Sequence, residues 1–267
     1  MNPLLTKFKA LEDNVERALI PFLVIGDPDY KTSLDLLKAV AKEADMLELG
    51  FAFSDPIADG KTVQQADQRA LKAGMTTEKN FELIKELRKE TDIPINLLVY
   101  ANLIYQQGIG KFFRLAQQAK VDSVLIADVP PEESNEFEIR ARKHKIQLIF
   151  MVSPLTNKER LQKIENKTTG FIYYVARLGV TGAQEDLKAR SLKHLKEIKP
   201  IIRKPICVGF GISNKDHVRA VVEAGADGVI VGSALIKIIE QNLNKKEELI
   251  QQSVDFVKEL KEATRYV

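Results

Sequence analysis

Eight short apolar runs recur along this chain, each bounded by turn residues and separated from the next by a longer amphipathic stretch. Several runs are apolar throughout, as expected of parallel strands that are covered on both faces. The amphipathic stretches follow the 3.6-residue period of helices, so the alternation predicts a parallel sheet built from βα units. The runs are LIPFLVI from Leu19, MLEL from Met46, INLLVY from Ile95, SVLIADV from Ser123, QLIFMV from Gln147, FIYYVA from Phe171, ICVG from Ile206 and GVIVG from Gly228.

The number and spacing of these runs favour a closed barrel. Seven steps lead from Leu19 to Gly228, about 30 residues each, which matches one repeat of the (β/α)8 TIM barrel. A doubly wound open sheet is the alternative, but it would be expected to carry a glycine-rich dinucleotide motif, and none is present. We therefore expect a single α/β TIM-barrel domain over residues 1–267. An N-terminal helix is expected to close the bottom of the barrel through one apolar face, formed by Leu4, Phe8, Leu11 and Val15.

Composition and charge exclude several classes of protein. The chain has 267 residues, 45% apolar and 29% charged, which is typical of folded globular proteins. Its formal net charge of +3 comes from basic residues scattered among acidic ones, which argues against a nucleic-acid surface. With Cys207 alone no internal disulfide can form, and the charged N-terminal segment has no signal-peptide core. No stretch is apolar enough to cross a bilayer, so we expect a cytoplasmic protein.

Two connections are longer than the others. The second and third runs begin 49 residues apart, at Met46 and Ile95, and the sixth and seventh begin 35 residues apart, at Phe171 and Ile206. All other neighbouring runs begin 22 to 28 residues apart. Loops at the carboxyl ends of barrel strands form the active sites of such folds. The extended loops after strands 2 and 6 are therefore expected to be functional lids or partner-binding surfaces.

Carboxylates occur where a buried strand should contain none. Glu48 lies inside the MLEL run, so it forms either a structural ion pair or a group poised for proton transfer. Asp59 follows the same strand and is either a second catalytic carboxylate or the cap of a helix near Thr62. Asp55 precedes a proline and is typical of an Asx turn, whereas Asp128 either catalyses or anchors a loop.

Glycine-bearing turns follow each of the last three runs. They contain Gly182, Gly211 and Gly232-Ser233, and the last pair is expected to open a short helix. In TIM barrels this region commonly binds phosphate, because the backbone N–H groups at a helix N-terminus face the anion. The alternative is that the glycines only shape tight turns and that Ser233 is an ordinary helix cap.

Large apolar side chains are expected around the same rim, where they could form a pocket or simply pack. Together with the carboxylates and a phosphate site, they favour a substrate with one anionic end and one flat apolar end. The three histidines lie in charged helical contexts, so the sequence does not support a metal site. The rim residues are Phe22, Leu98, Tyr100, Leu125, Tyr173 and Phe210.

Seven motifs carry a resemblance to a known family: PFLVIGDPD, LELGFAFSDPIADG, LLVYANLI, DSVLIADVPPEES, RLGVTGA, VGFGIS and VGSALIKIIE. In this order they resemble the tryptophan synthase alpha subunit family, from about Pro21 to Glu240. The resemblance implies a lyase that cleaves indole-3-glycerol phosphate by a retro-aldol reaction, giving indole and glyceraldehyde 3-phosphate in the last step of L-tryptophan biosynthesis. It implies no cofactor in this subunit.

The resemblance also implies roles for individual residues. Glu48 would be the general acid and base, and Asp59 would accept the indole N–H and stabilise the cationic ring. Thr181 would belong to a lid, and Asp55 would face a pyridoxal-phosphate-containing β subunit in an alpha-beta-beta-alpha heterotetramer. Phosphate contacts would come from Gly182, Gly211, Gly232 and Ser233, and indole contacts from Phe22, Leu98, Tyr100, Leu125, Tyr173 and Phe210.

Two positions in the loop after strand 2 depart from the family pattern, as do Ala176 and Leu178 on either side of Arg177. Ala52 and Lys61 replace prolines, which frees the backbone of the loop after strand 2, and Lys61 adds a cation two residues from Asp59. Two alternative functions follow: a weakly catalytic allosteric activator of a β subunit, or a free-standing indole-glycerol-phosphate lyase. The intact Glu48, Asp59 and Thr181 favour the catalytic interpretation.

Overall fold

A computed structural model describes residues 3–175, 182–209 and 211–265, with the backbone alone for 182–188. In these residues eight parallel strands form a closed barrel in sequential order, and β1 pairs with both β2 and β8. The TIM-barrel prediction is confirmed, and the open-sheet alternative is wrong. The strands are β1 Ala18–Val24, β2 Leu47–Gly50, β3 Ile95–Val99, β4 Ser123–Ile126, β5 Gln147–Val152, β6 Ile172–Val175, β7 Ile206–Gly209 and β8 Gly228–Val231.

Helices surround the barrel, and several begin at side-chain caps. The Asn214 side chain accepts a hydrogen bond from the His217 N–H at 2.9 Å, and the Asp29 side chain caps the helix after β1 in the same way. The helices in the described residues are α1 Pro3–Asp13, α2 Tyr30–Val40, α3 Lys61–Lys72, α4 Thr77–Leu87, α5 Ala101–Gln107, α6 Ile109–Gln118, α7 Asn135–Lys143, α8 Lys158–Lys167, α9 Gly182–Ile198, α10 Lys215–Glu223, α11 Ser233–Gln241 and α12 Lys246–Glu262, with short 3-10 helices at Pro131–Glu133 and Lys199–Ile201.

Helix α1 closes the amino-terminal end of the barrel. Leu4, Phe8 and Leu11 are buried, and the Phe8 ring packs edge-on against Phe171 just before β6, with the ring centroids 6.0 Å apart. Val15 was expected on the same face but is 56% exposed. It follows the end of α1 in the left-handed region, at φ +56°, where the chain turns toward β1. The helical period therefore no longer applies to Val15.

The long connection after β2 contains both a loop and an additional helix. Residues 51–60 form the loop, and α3 and α4 follow before β3. The long step after β6 includes α9, a helix of 17 residues. Among the described residues, no helix is long and apolar enough to cross a membrane.

Candidate active site

A cavity of about 510 Å³ opens at the carboxyl ends of the barrel strands. Its wall brings together seven residues that the sequence placed in one site. They come from the loop after β2, from five of the strands or their ends, and from the first residue of α11. The structure thus brings one predicted carboxylate, three of the six predicted rim residues and two of the glycine-bearing turns to one cavity. The seven are Phe22, Asp59, Leu98, Tyr173, Gly211, Gly232 and Ser233.

Glu48 lies on β2 in register with Phe22 of β1 and is completely buried. The Asn96 side-chain amide donates a hydrogen bond to Glu48 Oε1 at 2.7 Å. The Ser123 hydroxyl donates to Asn96 Oδ1 at 2.8 Å, which turns the Asn96 NH2 group toward Glu48. Glu48 Oε2 has no hydrogen-bond partner, and Glu48 forms no ion pair with any described residue. The structural ion-pair interpretation of this carboxyl is therefore wrong.

The surroundings of Glu48 favour its protonated form. Burial raises the pKa of Glu48 to about 8, and the negative charge of Asp59 acts in the same direction. The Asn96 amide and the Tyr173 hydroxyl favour the charged form and offset part of this effect. A carboxyl with a pKa near neutrality can both give and accept a proton at physiological pH.

Asp59 is held at the cavity by hydrogen bonds from Tyr100 and Gln64. The Tyr100 hydroxyl donates to Asp59 Oδ2 at 2.7 Å and accepts from the Ala58 N–H at 3.1 Å. The Gln64 side chain donates to the Asp59 backbone carbonyl at 2.8 Å. Gly60 is the N-terminal cap of α3, so the prediction that Asp59 caps this helix is wrong. Burial raises the pKa of Asp59, and the Tyr100 hydrogen bond counteracts this.

The cavity wall also contains glycine-bearing turns and the start of α11. Gly232 precedes α11 and Ser233 is its first residue, so Ser233 is not the cap that the alternative expected. Gly211 has φ +77°, a conformation that favours glycine. A Cβ atom at Gly232 would lie 2.8 Å from Phe22 Cδ1, so glycine also permits the close approach of this ring. Helix α11 therefore presents an open N-terminus to the cavity.

Other predicted residues lie elsewhere. Leu125 is 1% exposed and contributes to a second cavity of about 280 Å³ near the ends of β4 and β5. Asp128 accepts a hydrogen bond from the Ala101 N–H at 2.8 Å and so anchors the start of α5. Asp55 is exposed at the tip of the loop after β2. Gly182 begins α9, whereas Thr181 and Phe210 lie outside the described residues.

The structure also shows where Ala52 and Lys61 lie, the two residues that replace prolines in the loop after β2. Ala52 is buried at the start of the loop after β2, and Lys61 begins α3 with an exposed side chain. Lys61 makes no ion pair with Asp59 or any other described residue. No group of three or more metal-ligating side chains is found in the described part of the chain.

The structure adds site residues that the sequence reading missed. Asn96 is a polar residue inside an apolar run, the same signal that identified Glu48. Lys237 lines the cavity one helical turn after Ser233, on the face that a four-residue spacing predicts. Both could have been found from these patterns.

Comparisons with known proteins point to one family. A family model described as tryptophan synthase alpha chain matches residues 8–265. The tryptophan synthase alpha chain of Methanothermobacter thermautotrophicus is 49% identical over 92% of each chain, and that of Helicobacter pylori is 43% identical over 94% of this chain and 96% of the other.

Solved structures give the same result. The tryptophan synthase subunit alpha of Legionella pneumophila has a TM-score of 0.90 at 32% identity, over 99% of this chain and 98% of the other. A chain from the tryptophan synthase α2β2 complex of Pyrococcus furiosus has a TM-score of 0.86 at 40% identity, over 92% of this chain and 98% of the other. The chain therefore belongs to the tryptophan synthase alpha chain family.

Proposed function

We propose that this chain is a carbon–carbon lyase that cleaves indole-3-glycerol phosphate to indole and glyceraldehyde 3-phosphate. The observation that carries the proposal is a single cavity whose wall contains both the Asp59 side of the loop after β2 and the open N-terminus of α11. The buried Glu48 lies next to this wall, since the hydroxyl of Tyr173, which lines the cavity, favours the charged form of Glu48. The apolar surfaces of Phe22, Leu98 and Tyr173 in the same wall suit a flat ring.

In the proposed reaction Glu48 first donates a proton to the substrate and later accepts one from it. Its carboxylic acid protonates C3 of the indole ring, and the ring becomes a cation. The bond between C3 and the glycerol chain then breaks, and its electron pair restores the aromatic ring. The adjacent hydroxyl becomes the aldehyde and returns its proton to Glu48, so the carboxyl ends as it began. The raised pKa of Glu48 suits both transfers.

Asp59 would act as the fixed negative charge in this reaction. Its carboxylate would accept the indole N–H and stabilise the positive charge that C3 protonation places on the ring. Tyr100 would keep this carboxylate oriented, since its hydroxyl already bonds Oδ2. A preorganised anion stabilises the transition state more than the neutral substrate, which is the condition for catalysis.

The phosphate would bind at the start of α11. The N–H groups near Gly232 and Ser233, the turn at Gly211 and the helix dipole all favour an anion there. Lys237 would add the positive charge of its ammonium group. The resemblance adds Gly182 to the phosphate contacts, Thr181 as part of a lid and Phe210 to the indole contacts. Leu125 and Tyr100 would support the indole pocket from behind its wall.

We further propose that a β subunit carrying pyridoxal phosphate binds the face that contains Asp55. Ile57 on the same loop is 86% exposed, which leaves an apolar contact for a partner. The Pyrococcus furiosus relative comes from a complex described by mutual activation. No step assigned to the residues of this chain needs a cofactor. That residues 1–267 form a single domain and that the protein is cytoplasmic remain predictions.

The test is indole release from indole-3-glycerol phosphate by the wild-type chain, Glu48→Gln and Asp59→Asn, each with and without the β subunit. We expect both variants to lose about 10²-fold or more of kcat, the usual range for a general acid-base group. Glu136→Gln, an exposed carboxyl on α7, is the matched control. Near-normal cleavage by Glu48→Gln would refute the mechanism.

The same assay separates the alternatives. Activation of the β subunit without cleavage by the wild-type chain would favour the allosteric activator. Full turnover without a β subunit, together with no complex in gel filtration, would favour the free-standing lyase.

A further inference from the structure

A row of polar side chains crosses three neighbouring strands inside the barrel. Glu48 of β2 is in register with Asn96 of β3, and Asn96 is in register with Ser123 of β4. Phe22, the register partner of Glu48 on β1, lines the cavity, so the row faces the interior of the barrel. All three polar residues are buried, with at most 2% of their surface exposed. Interior rows of a TIM barrel are mostly apolar, so this one requires an explanation.

The hydrogen bonds along this row have a defined direction. The Ser123 hydroxyl donates to Asn96 Oδ1 at 2.8 Å, and the Asn96 amide donates to Glu48 Oε1 at 2.7 Å. The Ser123 hydroxyl has no other partner among the described residues, so reversing the Asn96 amide would leave the buried hydroxyl hydrogen without an acceptor. Ser123 therefore determines which end of Asn96 faces Glu48.

The two carboxyl oxygens of Glu48 are consequently unequal. An amide NH2 group can donate a hydrogen bond but cannot accept one, so Oε1 is an acceptor in both protonation states of Glu48. Oε2 has no hydrogen-bond partner among the described residues. In the neutral carboxyl this arrangement makes Oε1 the carbonyl oxygen and places the hydroxyl hydrogen on Oε2. The proton that Glu48 can transfer is therefore on the oxygen that no side chain occupies.

The bond from Asn96 becomes stronger as the proposed reaction begins. When Glu48 gives its proton to C3 of the ring, the carboxyl becomes a carboxylate and the ring becomes a cation. A hydrogen bond to a carboxylate is stronger than one to a neutral carboxyl, so Asn96 stabilises the negative charge that forms in this step. When the substrate hydroxyl returns a proton to Oε2, Glu48 is neutral again and Oε1 has remained an acceptor throughout.

We propose that Asn96 is a positioning residue for the lyase reaction: held by Ser123, its amide occupies Oε1 of Glu48 and directs proton transfer through Oε2. Asn96 acts through Glu48, since it is not part of the cavity wall. Ser123 is a second positioning residue, because it orients Asn96 without a hydrogen bond to Glu48. This inference rests on the proposed function.

Two substitutions separate this role from support of the fold. Asn96→Leu replaces the amide by an apolar side chain of similar size, and Ser123→Ala removes only the hydroxyl that orients Asn96. We expect kcat for indole release to fall about tenfold or more in Asn96→Leu, because the carboxylate loses its donor. The pH above which kcat/KM declines should rise by about one pH unit or more, because the pKa of Glu48 rises when it loses a bond that favours its charged form.

Infrared titration of Glu48 provides a readout that does not depend on turnover. The carbonyl band of its protonated carboxyl is assigned by its absence from Glu48→Gln. The midpoint of this band should move to higher pH by about one pH unit or more in Asn96→Leu. It should move in the same direction, by less, in Ser123→Ala, although Ser123 makes no hydrogen bond to Glu48.

Two matched controls remove buried polar groups elsewhere. Asn80→Leu removes an amide that is 2% exposed on α4, outside the barrel. Thr168→Val removes a buried hydroxyl that donates to the Ile164 carbonyl at 2.8 Å, at the end of α8. Both controls should leave kcat and the titration of Glu48 unchanged. Every variant keeps the other titratable groups that interact with Glu48, which are Asp59, Tyr173 and Cys207.

Two results would overturn the inference: a Glu48 titration that is the same in wild type, Asn96→Leu and Ser123→Ala, or a fall in kcat without any movement of the pH profile, which would indicate a structural role only. A shift in Asn96→Leu alone would overturn the part assigned to Ser123. Failure of the proposed function is distinguishable, because wild type and Glu48→Gln would then release indole equally while the infrared shifts would be unaffected.

Discussion

The buried carboxyl of Glu48 makes the stability of the fold depend on pH in a way that one substitution can isolate. In the folded chain the pKa of Glu48 is raised from 4.5 to about 8. Between these values the folded state keeps a proton that the unfolded chain releases. The free energy of unfolding therefore falls as pH rises through this window, since the folded state binds more protons than the unfolded state.

The size of the effect follows from the same two values. A difference of about 3.5 pH units, at about 1.36 kcal/mol each, gives on the order of 5 kcal/mol of lost stability between pH 4.5 and pH 8. Glu48→Gln keeps the shape of the side chain but cannot ionise. The stability of Glu48→Gln relative to wild type should therefore increase by several kcal/mol from pH 5 to pH 8.

Urea unfolding followed by far-UV circular dichroism at pH 5, 6, 7 and 8 measures this difference, because the contributions of groups that do not interact with Glu48 cancel between the two proteins. Glu136→Gln removes an exposed carboxyl and should not reproduce the trend. A stability difference between Glu48→Gln and wild type that is the same at all four pH values would refute the argument that Glu48 is held neutral by burial.

Three further predictions follow from single contacts. Tyr100→Phe removes the donor to Asp59, and since hydrogen bonds to charged groups contribute about 1.5–3 kcal/mol, kcat/KM for indole release should fall about 10- to 100-fold. The acid limb of its pH profile should also move to higher pH, because this bond holds the pKa of Asp59 down; an unmoved limb would contradict this. Gly232→Ala places a Cβ atom against Phe22, so KM for indole-3-glycerol phosphate should rise, and steady-state kinetics with an unchanged KM would argue against the close approach. Phe8→Ala should lower the free energy of urea unfolding by about 3–5 kcal/mol while kcat is preserved, because the ring packs at the end of the barrel away from the cavity.

The strands and the main carboxyl could be predicted from the sequence because their signals are local. The runs QLIFMV and ICVG have the same first and last residues as β5 and β7. Glu48 could be identified because a buried apolar run normally contains no charged residue. Val15 was wrongly assigned because periodicity does not show where a helix ends. The cap assigned to Asp59 was wrong because its partner, Tyr100, is 41 residues away in the chain.

Asp67 illustrates information that is only partly local. Its spacing from Val63 and Ala70 places it on the apolar face of α3, and this pattern can be read from the sequence. What the pattern cannot show is that this aspartate lies near Asp59 of the same connection and near Asp27 of the loop after β1, whose negative charges raise its pKa. Such proximity depends on the packing of α3 against β1.

The ring of Phe22 lies between two glycines on neighbouring strands or their ends. Positions 50 and 232 would each place a Cβ atom within 3 Å of it, and Glu48 is its register partner on β2. The ring therefore fills the space beside β1 on both sides, and glycine at each of the two positions is what leaves room for it. A side chain added at either position would displace the ring, so the shape of the cavity wall at Phe22 depends on two glycines that come from opposite ends of the chain.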